Sequence, residues 1–489
     1  MKKLRIYMCC AIVLSMATSC KKFLDQKPIS VSTDLTFWKN ESDADKAVAG
    51  GYALLRKTLN KADGIAYYAY GDLPTDEFAS ANSYRFDNIA RMEWGISVAS
   101  AETWDRMMQL RRYDTFYSAI DQANRCIKFI PTIPDDKFSS ADTKNNLLGE
   151  AYFLRAFNYF YMTRIWGDVP MTTETGSVTE AVDLPRTKAA EVLAQCITDV
   201  NTAINLLGWD YTSGSNRAVR ANKGAAYALL AHIYAWQGDY QNCNATTDKI
   251  IAQGFYQYVD RNNYLSIYKG KSSEGIFEIA QSDENEGSSF NIGYFTLKSP
   301  YLTINTGNTI FPLNVTTLNT LYTDKNDKRF TNAFALTNST DPVCIKYANI
   351  TYVNGQNVAS AVEHNNIIVF RLADITLLKA EALAAIGQYN QAKNILNEVR
   401  SLAGIEPWAG PDADLFEAVI DERGRELFLE GQRFYDLVRL GRKTGIMKFG
   451  AEKMNKADFD AGKYYWPIDP ALMNINKKLT QTPFWSSKL

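Results

Sequence analysis

The sequence predicts a mainly α-helical protein: an interrupted superhelix of tetratricopeptide-like helical hairpins, carrying an irregular lobe of loops and short strands. Three observations point there. Apolar residues recur at three- and four-residue intervals over most of the chain. Two helical pairs repeat one pattern, with Leu229 matching Leu378, Ala231 Ala380, Ala235 Ala384, Gly238 Gly387, Tyr240 Tyr389 and Ile250 Val399. One stretch, from about Gly254 to Asn366, shows no sustained period and is rich in Asn, Ser, Thr, Gly, Tyr and Phe.

The N-terminus comes first. Lys2, Lys3 and Arg5 precede an uncharged apolar run, Ile6 to Met16, and Ala17, Thr18 and Ser19 lead to Cys20. This is the layout of a secretory signal peptide. The run is about half the roughly 20 residues a membrane-spanning helix needs. Small residues before a cysteine suggest a lipoprotein signal over residues 1–19 and a lipid on Cys20, although Ala17 stands where an aliphatic residue is usual. An ordinary signal peptide with a chance cysteine is the alternative. Acylation, at about 0.8 kcal/mol per buried CH₂, would hold the chain on a membrane.

After an extended lead, the first helix spans residues 42–59, with Ser42 as N-cap and Asp43 and Asp45 near the positive end of its dipole. Helical periods follow at 102–130, 145–166, 189–207, 222–238, 240–254, 372–388, 389–404 and 415–443. The shared Gly-x-Tyr turn of the two matched pairs is the layout of a tetratricopeptide unit, whose copies bury their apolar faces on each other. Residues 20–253 form an N-terminal helical region. Residues 254–489 form a C-terminal region that includes the irregular insertion 254–366. The two are expected to make one compact unit.

Composition narrows the function. The chain has 489 residues, 46% hydrophobic and 22% charged, with net charge −1. No basic stripe favours nucleic acid. Cys126, Cys196, Cys243 and Cys344 are widely spaced and suggest neither a disulfide framework nor a metal site. The chain has only two histidines. His232 falls inside a helical hairpin and reads as a core residue; His364 lies in the irregular lobe. No HExxH, Walker loop or GxSxG occurs. A glycosidase would need only two carboxylates. However, Glu422, Glu426 and Glu430 alternate with Arg423, Arg425 and Arg433, which reads as an ion-pair network fixing a helix. Glu150 and Arg155 read the same way. No catalytic residue, metal or cofactor is expected.

Five blocks, in order, resemble the SusD/RagB family of Bacteroidetes outer-membrane lipoproteins. They are "CKKFLDQKP"; "TFWKNESDADKAVAGGYALL"; "LLGEAYFLRAFNYFYMTRIWGDVPMTTE", with Glu150, Arg155, Tyr159, Gly167, Asp168 and Pro170 in step; "IDERGRELFLEGQRFYDLVRLG", with Glu422, Arg423, Glu426, Glu430, Gly431, Arg433, Asp436 and Arg439; and "WPIDPALMNINKKLTQTPFW". The resemblance implies a non-enzymatic, lipid-anchored protein at the outer membrane and cell surface. Such proteins capture an oligosaccharide, or in some members a peptide, and deliver it to a TonB-dependent SusC-like transporter. A secreted carbohydrate-active enzyme on a helical scaffold is the competing reading.

Sugar rings stack their C–H faces on aromatic side chains, and Asn, Asp and Arg bind their hydroxyls. The chain holds 28 Tyr, 24 Phe and 9 Trp. Two non-periodic segments combine these types. One holds Asn82, Tyr84, Arg85, Asp87 and Trp94; the other holds Phe290, Asn291, Tyr294 and Tyr301. The resemblance implies ligand contacts from these two regions but carries over no individual residue; of the residues named, Trp94 is the favoured stacking platform. Trp38, Trp104, Trp166, Trp236 and Trp466 sit in helical or family-pattern blocks and are expected in the core.

Overall fold

The computed structural model describes residues 37–78, 80–83, 86–96, 106–175, 183–281, 286, 291–352 and 361–489. Ten helices of twelve residues or more carry the architecture among them: α1 Glu41–Leu59, α2 Asp114–Phe129, α3 Ala141–Trp166, α4 Ala189–Leu206, α5 Lys223–Gln237, α6 Tyr240–Ile251, α7 Leu372–Ala385, α8 Tyr389–Leu402, α9 Leu415–Glu426 and α10 Arg433–Thr444. Sequence neighbours pair as hairpins: α3 with α4, α5 with α6, α7 with α8 and α9 with α10. The hairpins then stack, α4 on α5, α6 on α7 and α7 on α9, while α1 and α2 pack on each other and on α3. This is the interrupted superhelix expected from the periodicity. Among the described residues no helix is long and apolar enough to cross a membrane.

The matched hairpins are alike to the level of single hydrogen bonds. The Gly238 N–H donates to Ala235 O and the Asp239 N–H to Tyr234 O; at the second turn Gly387 donates to Ala384 O and Gln388 to Leu383 O. This is the Schellman closure of a helix C-terminus. Gly238 has φ 78° and Gly387 φ 79°. A Cβ at either would meet nothing within 4 Å. Glycine stands there for its left-handed backbone, not for space.

Three helix boundaries differ from the sequence expectation. α1 begins at Glu41, capped by Asn40, whose Oδ1 accepts from the Asp43 N–H at 3.1 Å, rather than by Ser42. The period at 102–130 is broken: a short helix Arg106–Leu110 ends before α2 starts at Asp114. The buried Arg111 at the break donates to the carbonyls of Trp94 and Ile96. The run at 415–443 is also two helices. Between them Leu429 and Gly431 take φ 56° and 74°. A Cβ on Gly431 would lie 2.1 Å from the Tyr67 ring, so the close approach of two segments of the chain requires glycine at the break.

Between α6 and α7 the chain forms the irregular lobe. It contributes to three two-stranded antiparallel sheets: β1 Gly275–Ile279 with β6 Ile367–Arg371, β2 Phe334–Ala335 with β3 Val343–Cys344, and β4 Ile350–Tyr352 with β5 Ala361–Glu363. β1 and β6 are wholly buried, and β6 runs directly into α7. That strand pair fastens the lobe to the helical stack. Cys126, Cys196, Cys243 and Cys344 are all buried and unbridged, small core residues as expected.

Candidate functional site

The fold brings the two non-periodic segments together. The Asn82 N–H donates to Ile310 O at 2.8 Å, and Asn82 Nδ2 donates to Thr309 O at 2.9 Å. The Phe86 ring packs edge-on against Phe295 and Phe311, at 5.2 and 5.1 Å. Phe78 forms an antiparallel bridge with Leu313. About two hundred residues separate the segments in sequence, and buried phenylalanines join them.

The individual residues fare differently. Asn82 is exposed and Asp87 half-buried; Asp87 Oδ1 accepts from the Ala81 N–H at 3.1 Å and its carboxylate pairs with Arg91 at 3.5 Å. Tyr294 and Tyr301 are half-buried in a small apolar cluster around Leu297 and Leu302. Asn291 is 2% exposed, and neither polar atom of its side chain has a partner among the described residues. Tyr84, Arg85 and Phe290 lie outside the described residues, as do Trp104 and Cys20.

Trp94 corrects the expectation. It is 0% exposed. Its indole stacks on Trp466 at 4.2 Å and 14°, leans toward Trp485 and Phe434, and donates from Nε1 to Ile89 O at 3.1 Å. A ring sandwiched in this way offers no face to a sugar. Trp166, Trp236 and Trp466 are buried as expected; Trp38 is only half-buried, stacked on Phe129 at 5.4 Å.

Beside the joined segments opens a cleft of about 380 Å³. Phe78 and Phe449 supply its apolar wall, and Asn314, Thr317 and Thr320 supply hydroxyl and amide groups. Three acids and three bases line it. Arg433 grips Asp76 with two parallel bonds, Nε to Oδ1 at 2.9 Å and Nη2 to Oδ2 at 2.7 Å. Lys448 bonds both oxygens of Asp421, at 2.7 and 2.8 Å. Lys453 donates to the carbonyls of Thr75 and Phe78, and burial pulls its pKa down to about 8. Glu452 is exposed and makes no ion pair among the described residues. Matched charge and fixed polar groups suit a neutral polyhydroxyl ligand. The 314–321 and 448–453 contributions were not foreseen. Asn314 carries only the signal of a helix cap, which it is, accepting from the N–H groups of Thr316 and Thr317.

The carboxylates examined as possible acid–base pairs are saturated. Glu426 accepts from Arg261 at 2.9 Å, Arg329 at 3.1 Å and Arg371 at 2.8 Å. Burial pushes its pKa up, and the arginines overcome this to hold it well below the carboxylate range. Glu422 meets Arg329, Arg400 and Arg425 and is held at about 2. Glu430 meets Arg371, Lys346 and the Tyr268 hydroxyl. The network is real, but its geometry corrects the expectation. Only Arg425 pairs on the same helix, and Glu430 lies beyond the end of α9. The other partners come from the lobe and the neighbouring helices. Glu150 pairs with Arg220 and Arg155 with Asp199. His232 is buried, bonded to Asp374 at 2.8 Å and stacked on Phe370; burial lowers its pKa against the opposing pull of Asp374.

Residues 294–485 match the SusD family, and residues 22–235 match a family described as starch-binding and associating with the outer membrane. The chain belongs to the SusD family. It is similar to SusD-like protein P38 of Formosa agariphila, 27% identical over 91% of this chain and 93% of the relative. A SusD homolog of Bacteroides thetaiotaomicron has the same architecture, with a TM-score of 0.78 at 27% identity, covering 91% of this chain and 98% of that one. A laminarin-binding SusD-like protein shares the fold, with a TM-score of 0.72 at 22% identity and coverage of 91% and 100%. The SusD matches span both the helical stack and most of the lobe, so the segments that meet at the cleft belong to the shared architecture.

Proposed function

We propose that this SusD-family protein is a non-catalytic oligosaccharide receptor. It is anchored to the outer membrane through a lipid on Cys20 and passes its cargo to a TonB-dependent, SusC-like transporter. The observation that carries the reading is the meeting of two distant polar and aromatic segments beside a charge-balanced cleft, on a scaffold whose recognisable carboxylates are locked by arginines. The matched family description, which names starch binding and the outer membrane, supports glycan as the cargo. Binding rests on many fixed hydroxyl partners, and no carboxylate pair with recognisable spacing is free to act as acid and base.

Calorimetry of the purified protein with neutral oligosaccharides, alongside an assay for new reducing ends, tests the core of this reading. Binding with no new ends is the expected outcome; hydrolysis would overturn it. Cys20→Ala should move the protein out of the membrane fraction. Mild-detergent purification from the native host should co-isolate a large outer-membrane protein, and recovery only as a monomer under crosslinking would count against the transporter.

A further inference from the structure

A second concavity lies at the far end of the α5–α6 turn, where α5 and α10 both finish. It encloses about 430 Å³ and shares no lining residue with the cleft at Asp76. Trp236, Gly238 and Tyr240 line it from the hairpin, and Arg439, Arg442 and Lys443 line it from α10. The three cations are spaced i, i+3, i+4, so one helix face presents them all.

Their partners set their roles. Arg439 is neutralised, with Nε and Nη2 on the two oxygens of Glu381 at 2.6 and 2.7 Å and Nη2 also on Asp436 at 2.7 Å. It forms the floor. Arg442 and Lys443 have no carboxylate partner among the described residues. Arg442 donates to Trp236 O at 3.1 Å and to the Tyr465 hydroxyl at 3.2 Å, with its guanidinium 4.1 Å from the centre of the Trp236 ring and 5.2 Å from that of Tyr464. Lys443 donates to Ala385 O at 3.1 Å and stands 5.9 Å over Tyr240. The helix-end carbonyls explain one bond from each cation. They do not engage the remaining donors, and Asp239 is occupied in capping α6.

We infer that this concavity is a binding site for a carboxylate-bearing sugar, separate from the neutral-glycan cleft. The carboxylate would bridge the Arg442 guanidinium, already oriented by its aromatic neighbours, and the Lys443 ammonium. Aromatic walls and a volume of about 430 Å³ suit a sugar ring rather than a bare inorganic anion. Charge-assisted bonds of this kind are about twice as strong as neutral ones, so each cation accounts for roughly a tenfold change in affinity.

Ligand-observed magnetic resonance titration with glucuronate, glucose and inorganic sulfate, at one low ionic strength, tests this on the full protein. Glucuronate should bind in a way that Lys443→Gln and added salt weaken, any glucose binding at the neutral-glycan cleft should respond to neither, and sulfate should bind at least about tenfold more weakly than glucuronate. Arg442→Gln and Lys443→Gln should each weaken glucuronate about tenfold, and added salt should weaken it for the wild type. Lys443→Gln stands alone if Arg442→Gln disturbs the fold, because Lys443 is exposed and has a single bond to the protein. The assignment is overturned if sulfate binds as well as glucuronate, if Lys443→Gln weakens glucose as much as glucuronate, if Lys443→Gln leaves the glucuronate affinity unchanged, or if glucuronate does not bind. Failure here leaves the neutral-glycan reading untouched, since that cleft is read out with neutral sugars.

Discussion

Buried carboxyl groups are handled in two ways in this protein. Along the seam between the lobe and α9, Glu422, Glu426 and Glu430 each meet at least two cations, several of them supplied by the lobe itself through Arg261, Arg329 and Lys346. Inside the lobe, Glu278 and Glu363 are equally buried and meet almost nothing charged. Glu278 accepts from the Lys271 N–H and Asn366 Nδ2, both at 2.8 Å, and Glu363 accepts from the Gly293 N–H at 2.8 Å. Burial raises Glu278 to about 7 and Glu363 to about 8. The seam therefore holds ionised carboxylates in one fixed arrangement, whereas the lobe holds carboxyls that neutralise themselves. A charge that loses its water must find a countercharge or a proton, and the two regions take opposite solutions.

The largest effect should come from breaking the seam. Glu426→Ala removes the one carboxylate that Arg261, Arg329 and Arg371 have in common and leaves them crowded around Glu274, Asp327, Glu422 and Glu430; removing one member of a buried pair destabilises by about 3–5 kcal/mol. Thermal unfolding should drop accordingly, with little change in glycan affinity for protein still folded. If Glu426→Ala unfolds like wild type, the seam is decorative and the contrast with the lobe falls away.

Trp94→Ala should come next, and it tests which region Trp94 belongs to. By sequence it sits in a candidate ligand loop; by structure it lies in the core under Trp466 and Trp485. Deleting a fully buried large aromatic costs about 3–5 kcal/mol. A large loss in unfolding temperature is expected. A variant of unchanged stability that fails to bind glycan would return Trp94 to the site.

These two residues also show what the sequence made legible. The hairpin turns were readable because everything that decides them is local: Gly238 and Gly387, the alanines before them and the tyrosines after them. That Glu150 and Arg155 serve structure was readable, but their partners, Arg220 and Asp199, lie on other parts of the chain and were not. Trp94 was not readable, because its burial is decided by two tryptophans near the C-terminus and by the turn at Gly95, where a Cβ would lie 2.7 Å from Trp485. Alternation of Glu and Arg along 421–433 suggested partners on one helix, yet a one-dimensional pattern cannot register Arg329 or Arg371 arriving from the side. The cleft lay beyond reach for the same reason. Its lining comes from four separate parts of the chain, and only Asp76 and Phe78 adjoin a candidate ligand segment.

The two regions should respond to pH with opposite sign. Glu422, Glu426 and Glu430 have folded pKa values below the ordinary 4.5, with Glu422 at about 2. Their contribution is complete above pH 4.5 and is lost as pH falls from there toward about 2. Glu278 and Glu363 have raised values, so the folded state binds more protons than the unfolded state between about pH 4.5 and their folded values of about 7 and 8. Their contribution is complete below pH 4.5 and is lost as pH rises through that window. Denaturant unfolding across pH 3 to 9 should show both limbs. Glu363→Gln, which keeps an acceptor for Gly293 and removes its titration, should make the alkaline limb shallower, leaving the share of Glu278 and the acid limb in place. An unchanged alkaline limb would mean that Glu363 is ionised in the folded protein.

The smallest effect on folding, and the one that bears on function, should come from the cleft. Glu452 lines it, is exposed, and carries no ion pair among the described residues, in contrast to Asp76 and Asp421, which are held by Arg433 and Lys448. An unengaged carboxylate accepts hydroxyl protons from a bound sugar at about 1.5–3 kcal/mol per charge-assisted bond, roughly 10- to 100-fold in affinity. Glu452→Ala should therefore weaken a neutral oligosaccharide by about that factor, and surface changes of this kind move stability by no more than about 0.5 kcal/mol. Calorimetry and thermal unfolding on the same preparation separate the two quantities. A ligand that binds wild type and Glu452→Ala equally well would show that the sugar sits elsewhere on the joined segments, nearer Asn82 and Tyr301, and would leave the seam and its stability untouched.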